Sequence, residues 1–494
     1  MDILIKNVTY LSPDYTDWTD GDILIKDGRI SKIGSIDAGL AGSCEIIEGK
    51  GKIAIPGFIN AHAHSYTGYL KGSIDNIPLD IYMLYAIAGG SFRTPREIYI
   101  STMVEAMQML RHGTTSVTDH FSQRPSLSAE GIDAAAQAFN DIGMRANIAT
   151  MFADLSFFDT IPMLPGELPA ELRGKPSGKP QSAEEYALVV EDAFKKYNEQ
   201  GGNVRIILGT DGPQRCSKKL LTITRDLEEK YKMGWQTHIL EAKTQAIISR
   251  QLYGKGLIEY MDEMGLINER TSLVHFVWVS DDEIDIVRKR GANVVHCPSS
   301  NLHLGSGVTP ADLFLRSGIN VALGSDGGNC GHTGMLERIR LTALLHKASQ
   351  PDYEQWISAE DALRMNYEGG SRVMMRDTLG KISVGSDGDL ILINTGNILW
   401  QPANNLTRQL VFAENGSNID TVLVGGEKVF SEGRYTSVNE TDIISEAKEI
   451  AARLKKDNAE SFALVEKQLP YFRQMYMREI RKNIGFNRFI RPLE

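Results

Sequence analysis

Between residues 53 and 326, short apolar runs rich in β-formers alternate with longer helical patterns, and this alternation restricts the possible folds more than any other feature of the chain. The helical stretches begin with capping-box spacings, such as SAEE at 182–185 and SDDE at 280–283, and several end at glycines. Strands separated by helices pair in parallel. The pattern therefore predicts an α/β protein with a TIM (β/α)8 barrel. The expected barrel strands are 53–60, 114–120, 144–152, 203–211, 235–240, 272–279, 292–298 and 319–326.

The two ends of the chain have a different pattern from the middle. Alternating apolar and polar positions, punctuated by Asp-Gly or Gly, occur in DILIKNVTYL near the start and in GKISVGSDGDLILIN after the barrel, which indicates antiparallel hairpins. We therefore expect a small β-sandwich domain from residues 1–55 together with 380–437, and a barrel over 56–379. Residues 438–494 have a helical pattern rich in Lys and Arg, and they are predicted to form a helical tail that is solvated or contacts another subunit.

Charge and apolar content bear on partners and location. The formal net charge of −10 disfavours nucleic acid binding, because proteins of that class present a basic face. No apolar run approaches the roughly twenty residues that cross a membrane, and the N-terminus lacks the regions of a signal peptide. The four cysteines are scattered without a CxxC pair, which favours a reducing, cytoplasmic location.

Two of the ten histidines lie one residue apart at the end of the first predicted barrel strand, in PGFINAHAH. Residues i and i+2 of a strand point to the same face, so His62 and His64 project together. The C-terminal ends of barrel strands form the face where barrel enzymes carry their chemistry. The pair is either half of a metal site or two hydrogen-bonded polar residues without an ion.

Three further strand ends favour the metal. His238 ends the fifth predicted strand, His275 lies in the sixth, and Asp326 ends the eighth. Each would reach the same face as His62 and His64. Nitrogen and oxygen ligands without thiolate suit Zn²⁺, with iron, cobalt or manganese as alternatives. We therefore expect a bound divalent metal ion.

A carboxylate follows this set of residues. Glu241 lies three residues beyond His238, just past the strand end. Alone, a Glu in this position is more often a solvated residue at a helix start. Beside the histidines it can act as a proton shuttle between an activated water and the substrate, and we expect that role.

Two loops could contact a substrate. The Pro- and Gly-rich segment 155–181 has no periodicity and is predicted to be a βα loop that could cover the active-site face. His303 follows the seventh predicted strand, so it is a candidate substrate-binding residue, with a position away from the substrate as the alternative.

The strand-end motifs resemble those of the amidohydrolase superfamily, namely PGFINAHAH, QTHILEA, LVHFVWVSDDEI, VVHCPSSNLHLGSG and LGSDGGN. The chain looks most similar to the group that holds guanine deaminase, S-adenosylhomocysteine deaminase and the s-triazine hydrolases such as atrazine chlorohydrolase. The resemblance implies a distorted barrel with a β-sandwich built from both chain ends. It assigns metal ligation to His62, His64, His238 and Asp326. It makes Glu241 the proton shuttle and His275 the group that orients the water and steadies the tetrahedral intermediate.

The resemblance also bears on the number of metals and on the substrate. Members with two metals carry a carboxylated lysine on the fourth strand, whereas NVRIILGTD has no lysine, so we expect one ion, Zn²⁺ with Fe²⁺ as the alternative. Arg215 follows this strand, where guanine deaminase-like enzymes contact the purine, so it is a candidate substrate-binding residue; a surface arginine is the alternative.

The activity implied by the resemblance is hydrolytic deamination of a nitrogen heterocycle of the purine, pterin or s-triazine class. In this reaction Asp326 would accept the proton of the attacking water. The second possible function is the hydrolytic loss of another leaving group at the same site, namely chloride, an alkylamine, or an amide or urea nitrogen. The third is a non-catalytic scaffold. Glu241 favours an amine, because an amine must be protonated to leave. The expected partners are a small heterocyclic substrate and further copies of the chain in a homo-oligomer.

Overall fold

The structure is a computed structural model. It describes residues 2–37, 44–90, 93–173 and 180–491. Part of the predicted loop 155–181, residues 174–179, lies outside the described residues.

The chain begins with strands that belong to a mainly antiparallel sheet. These strands are β1 (Ile3–Leu11), β2 (Trp18–Lys26), β3 (Arg29–Gly34), β4 (Glu45–Glu48) and β5 (Lys52–Pro56). Ile3 and Ile5 of β1 and Ile23 and Ile25 of β2, which occupy alternate positions, pack into a small core of their own. Alternation with one face buried is the pattern expected of such a sheet.

The barrel follows, and its strands are parallel neighbours in chain order. They are β6 (Phe58–His64), β7 (Thr114–Ser122), β8 (Arg145–Phe152), β9 (Val204–Thr210), β10 (Trp235–Ile239), β11 (Thr271–His275), β12 (Asn293–His296), β13 (Asn320–Leu323) and β14 (Asp326–Gly327). The last two form one interrupted eighth strand. Its first part pairs with β12 and its second part pairs with β6, so the sheet closes on itself. The predicted distorted (β/α)8 barrel is confirmed.

Five predicted strands agree with the structure to within two residues at each end, and three differ by a break or by more than that. Residues 53–60 contain two strands, because Pro56-Gly57 separates β5 of the terminal sheet from β6 of the barrel. A side chain at Gly57 would lie 2.1 Å from Thr115 Oγ1, so only glycine fits there. The sixth strand ends at His275, because His275 and Phe276 have φ angles of 72° and 47°. The eighth is interrupted at residues 324 and 325.

Helices surround the barrel and link its strands. Their bounds are α1 (Leu79–Gly89), α2 (Pro95–Arg111), α3 (Ala129–Ile142), α4 (Ala183–Tyr197), α5 (Lys218–Tyr231), α6 (Lys243–Tyr253), α7 (Leu257–Glu263), α8 (Asp281–Arg290), α9 (Pro298–His303), α10 (Ala311–Arg316), α11 (Met335–Leu345), α12 (Ala359–Arg364) and α13 (Gly370–Val373). Capping boxes begin α2, α4, α8 and α12, as the sequence predicts for α4 and α8.

The chain then returns to the terminal sheet. Strands β15 (Leu390–Asn394), β16 (Ile419–Val424), β17 (Glu427–Ser431) and β18 (Arg434–Tyr435) extend it, with α14 (Leu406–Phe412) between β15 and β16. Strand β15 pairs with β5, so segments from both chain ends share one sheet.

Two long helices complete the chain, α15 (Glu440–Asp457) and α16 (Ala459–Glu479). Helix α16 buries Phe472 and Met475 against α1 and against Phe157 and Ile161 of the long loop. We call α1, residues 157–172 and α16 the roof, because together they cover the C-terminal face of the barrel. Within the parts of the chain that the structure covers, none of the helices has the length and apolar character needed to cross a lipid bilayer.

Candidate metal centre

The ends of β6, β10 and β14 bring four potential ligands together. The Nε2 atoms of His64 and His238 are 3.1 Å apart. Asp326 Oδ1 lies 3.2 Å from His64 Nε2 and 3.4 Å from His62 Nε2. All four side chains are buried or nearly so. The four residues to which the family resemblance assigns a metal thus lie at one point of the barrel.

Hydrogen bonds orient each imidazole. His62 Nδ1 faces Gln236 Oε1 at 2.8 Å, and because the Gln236 amide nitrogen donates to the Ala61 carbonyl, the oxygen is the atom that faces the ring. His64 Nδ1 is 2.8 Å from the His120 carbonyl, and His238 Nδ1 is 2.5 Å from the Asp211 carbonyl. An acceptor beside each Nδ1 places the proton there and leaves the Nε2 lone pair for a metal.

This arrangement fits a cation. Burial lowers the pKa of His64 to about 4 and also lowers the pKa of His62 and of His238, which keeps these rings neutral at neutral pH. His62 Nε2 is buried and has no hydrogen-bond partner. The two lone pairs at His64 and His238 face each other, which is unfavourable unless a cation lies between them. Sets of these atoms lie within 4.8 Å of one another, as the ligands of one ion must.

Glu241 and His275 lie beside this point. The distance between His275 Nε2 and Glu241 Oε2 is 3.4 Å, and His275 Nε2 is 4.0 Å from Asp326 Oδ2. Burial, followed by the negative charge of Asp326, raises the pKa of Glu241 well above its usual range. This environment favours the protonated carboxylic acid, the form that a proton donor needs.

The tautomer of His275 is set by a chain of hydrogen bonds. His275 Nδ1 is 2.9 Å from Asn301 Oδ1, the Asn301 amide nitrogen donates to Thr309 Oγ1, and that hydroxyl donates to the His275 carbonyl. The amide oxygen of Asn301 therefore faces the ring, so His275 Nδ1 carries the proton. Burial lowers the pKa of His275 to about 3, which excludes the positively charged form at neutral pH.

Unusual backbone conformations aim these side chains. Leu240, His275 and Asp326 have φ angles of 49°, 72° and 62°. Such angles cost non-glycine residues about 1–3 kcal/mol each and recur at functional sites. Asp326 is also held by Ser300, whose hydroxyl donates to Oδ2.

A cavity with about 70 Å³ of free space opens above the site. Its upper wall comes from the roof and includes Tyr82 of α1 and Phe157 and Ile161 of the long loop. The sequence predicts that residues 155–181 could cover the active-site face. The position of Phe157 and Ile161 in this wall agrees with that prediction for the part of the loop that the structure describes.

The two predicted substrate-binding residues lie in different places. Arg215 lines the cavity, where its Nη1 donates to Asp211 Oδ2 and its guanidinium lies 5.2 Å from the centre of the Phe157 ring. His303 is the last residue of α9 and is not among the cavity-lining side chains of the described chain. The predicted contact of His303 with substrate stays a prediction.

Other residues of the site were missed by the sequence analysis. Asp211 directly follows β9 in LGTD, the same pattern that drew attention to Asp326 in LGSD, and it too lines the cavity. Gln236, Asn301 and Ser306 support the catalytic side chains from behind. No spacing in the sequence distinguishes such polar residues from others.

Comparison with known proteins agrees with this geometry. Residues 53–429 match the model of the amidohydrolase family. A 5′-deoxyadenosine deaminase of Methanocaldococcus jannaschii is 31% identical over 91% of this chain and 98% of its own length. A 5-methylthioadenosine/S-adenosylhomocysteine deaminase of Thermococcus sibiricus is 30% identical over 87% of this chain and 94% of its own length.

Two solved structures share the fold. An adenosine deaminase from Xanthomonas campestris with bound zinc has a TM-score of 0.81 and 22% identity, covering 92% of this chain and 99% of that one. Atrazine chlorohydrolase from Arthrobacter aurescens TC1, complexed with zinc, has a TM-score of 0.82 and 23% identity, covering 91% of this chain and 100% of that one.

Proposed function

Because the chain belongs to the amidohydrolase family, we propose that it is a metal-dependent aminohydrolase that removes an amino group from a nitrogen heterocycle. The observation that carries the proposal is the position of Glu241, whose pKa is raised by burial, beside a buried group of inward-facing imidazoles and Asp326. The curated relatives named above are deaminases of adenine nucleosides, which favours a purine ring as the substrate.

We propose one ion, with Zn²⁺ as its identity and Fe²⁺ as the alternative. His62, His64, His238 and Asp326 would hold it. When bound, a divalent ion supplies Lewis-acid activation of a water molecule at neutral pH. Strand β9 contains no lysine that could bridge a second ion.

The protein side chains then divide the proton transfers. Asp326 is the base that takes a proton from the attacking water. Glu241 donates its proton to the ring nitrogen, which makes the adjacent carbon a better electrophile. Asp326 passes the proton it took from water to the leaving amine, and Glu241 recovers a proton from the added hydroxyl group as the carbonyl forms. His275 Nε2 accepts a hydrogen bond from the attacking water and orients it, because its Nδ1 is committed to Asn301. In this tautomer Nε2 has no proton to donate, so the neutral ring does not serve the second role that the resemblance implies, the steadying of the tetrahedral intermediate. A proton-bearing Glu241 favours an amine over chloride as the leaving group.

The decisive experiment is a screen of the zinc-loaded protein for ammonia release from purines, pterins, pyrimidines and triazines, with chloride and alkylamine detection in parallel. We expect ammonia release from an aminopurine, abolished by chelation and restored by Zn²⁺. Chloride release without ammonia release would support the second activity instead. A protein without stoichiometric metal would contradict the proposal. The predicted homo-oligomer stays a prediction, which light scattering tests.

Phe157 in the roof is expected to affect which substrates are accepted. Changing Phe157 to Leu keeps an apolar side chain but removes the ring beside Arg215. An aromatic contact is worth about 1 kcal/mol, so we expect kcat/KM for the best substrate to fall about fivefold, and substrates to change rank. Phe158→Leu is the matched control, because Phe158 packs in the roof without lining the cavity. Equal effects of the two variants would contradict a role in substrate selection.

A further inference from the structure

The last described residues form a segment that contacts α6 and two loops, residues 276–280 and 304–310. We call residues 480–491 the strap. Lys243 Nζ donates to the Ile480 carbonyl at 2.7 Å, and Arg250 Nη1 donates to the Ile484 carbonyl at 3.2 Å. Both donors belong to α6, the helix that follows Glu241. The strap thus departs from the roof and is fixed first to the loop and helix after β10.

Arg488 ties the strap to the loop after β11. Its Nε donates to the Val277 carbonyl at 3.1 Å, and its Nη2 donates to the Val279 carbonyl at 2.7 Å. The residue between them, Trp278, is fully buried, with the Phe489 ring 4.9 Å from its own. One guanidinium and one aromatic contact therefore fix Trp278.

Arg488 also fixes the loop after β12. Val308 N donates to the Arg488 carbonyl at 2.8 Å. The neighbouring Gly307 has φ of 111°, and a Cβ there would lie 2.9 Å from that carbonyl oxygen. Only glycine permits this close approach.

These contacts lead to Glu241 through Ser306. Trp278 Nε1 donates to the Ser306 carbonyl at 2.6 Å, and Ser306 Oγ lies 3.4 Å from Glu241 Oε1, to which it donates. Ser306 contacts Oε1 of Glu241, and Oε2 is the carboxyl oxygen that faces His275. The orientation of the acid thus depends on the position of the Ser306 loop.

From these contacts we propose that Arg488 is a positioning residue for proton transfer, and that it acts through Trp278 and Ser306 on the Glu241 carboxyl group. The inference rests on the proposed function of Glu241. It gives the C-terminal segment a role in the reaction, although this segment contains none of the strand-end motifs. A displacement of about 1 Å at a catalytic group can cost on the order of 10²-fold in rate, so loss of the Arg488 contacts is expected to be visible in kcat.

The test is a double-mutant cycle in the full-length, zinc-loaded protein. Arg488→Gln should lower kcat about 10-fold with KM changed less than twofold and with metal content unchanged. Ser306→Ala should have a similar effect, and the double variant should be no slower than the slower single variant, because both changes act through one interaction. Arg488→Lys, which can keep one carbonyl contact, should recover part of the rate. Arg481→Gln, at an exposed position of the same strap, is the control and should leave kcat unchanged.

A second measurement needs no substrate. Amide hydrogen exchange of residues 306–309 should accelerate in Arg488→Gln and not in Arg481→Gln. Loss of the two guanidinium contacts to Val277 and Val279 releases the strap, and the backbone carbonyl of residue 488 that accepts from the Val308 amide is then held less firmly. Unchanged exchange, full kcat in Arg488→Gln, or losses that multiply in the double variant would each overturn the inference. A wild-type protein that hydrolyses none of the screened compounds would instead contradict the proposed function. The exchange measurement does not depend on activity, so it would still decide whether the strap holds the loop.

Discussion

Replacing His238 with Ala is expected to abolish stoichiometric metal binding and, with it, turnover. His238 faces His64 across 3.1 Å, so its loss removes one of the four groups that would surround the ion. Activation of water by the ion is worth several kcal/mol, and loss of about 4 kcal/mol corresponds to roughly a 1,000-fold lower rate. Metal analysis of the purified variant and a steady-state assay measure the two effects separately.

The matched control is His112→Ala, which removes a histidine at the end of α2, before β7 begins. This variant should keep its metal and its activity. A His238→Ala protein that retains a full equivalent of metal and wild-type activity would refute the ligand assignment.

Replacing Glu241 with Gln is expected to lower kcat about 10²- to 10⁴-fold while the metal stays bound. Glutamine keeps the shape of the side chain and can still accept from Ser306, but it cannot deliver and recover the acidic proton. A raised pKa serves the reaction only if Glu241 acts as an acid. The variant therefore tests whether Glu241 is the proton donor. Metal content and the rate of ammonia release are the readouts.

Glu259→Gln, an exposed position on α7, provides the control and should behave as wild type. Near-wild-type ammonia release by Glu241→Gln would remove the argument for an amine as the leaving group. The chloride-releasing alternative would then gain support.

The barrel was predictable because each βα unit carries its own local signals. Buried β-rich runs, capping boxes such as Ser280 with Glu283, and glycines at helix ends such as Gly143 all act over a few residues. The bounds at Pro56-Gly57 and at His275 were not predictable, because they depend on the contact of Gly57 with Thr115 and on a left-handed residue inside an apolar run.

The features of the site also divide into those that could be predicted from the sequence and those that could not. Strand-end histidines and Asp326 stand out in a sequence because their residue types are scarce and their positions regular. The role of the C-terminal helix could not be foreseen. The apolar stripe of α16 indicates that the helix packs against another surface. Only the three-dimensional structure shows that the Phe472 ring stacks on the Phe157 ring over the cavity. The sequence suggested a solvated or subunit-contacting tail, whereas part of that tail forms the roof.

The closure of the barrel between β6 and β14 has a consequence for how the protein matures. His62 and His64 are made early, and Asp326 lies 262 residues after His64 in the chain. The nascent chain can therefore assemble the complete ion-binding group only when its eighth strand has docked beside its first. An ion held by residues of both strands would stabilise the closed barrel by mass action. Metal supply during synthesis would therefore influence the yield of folded protein.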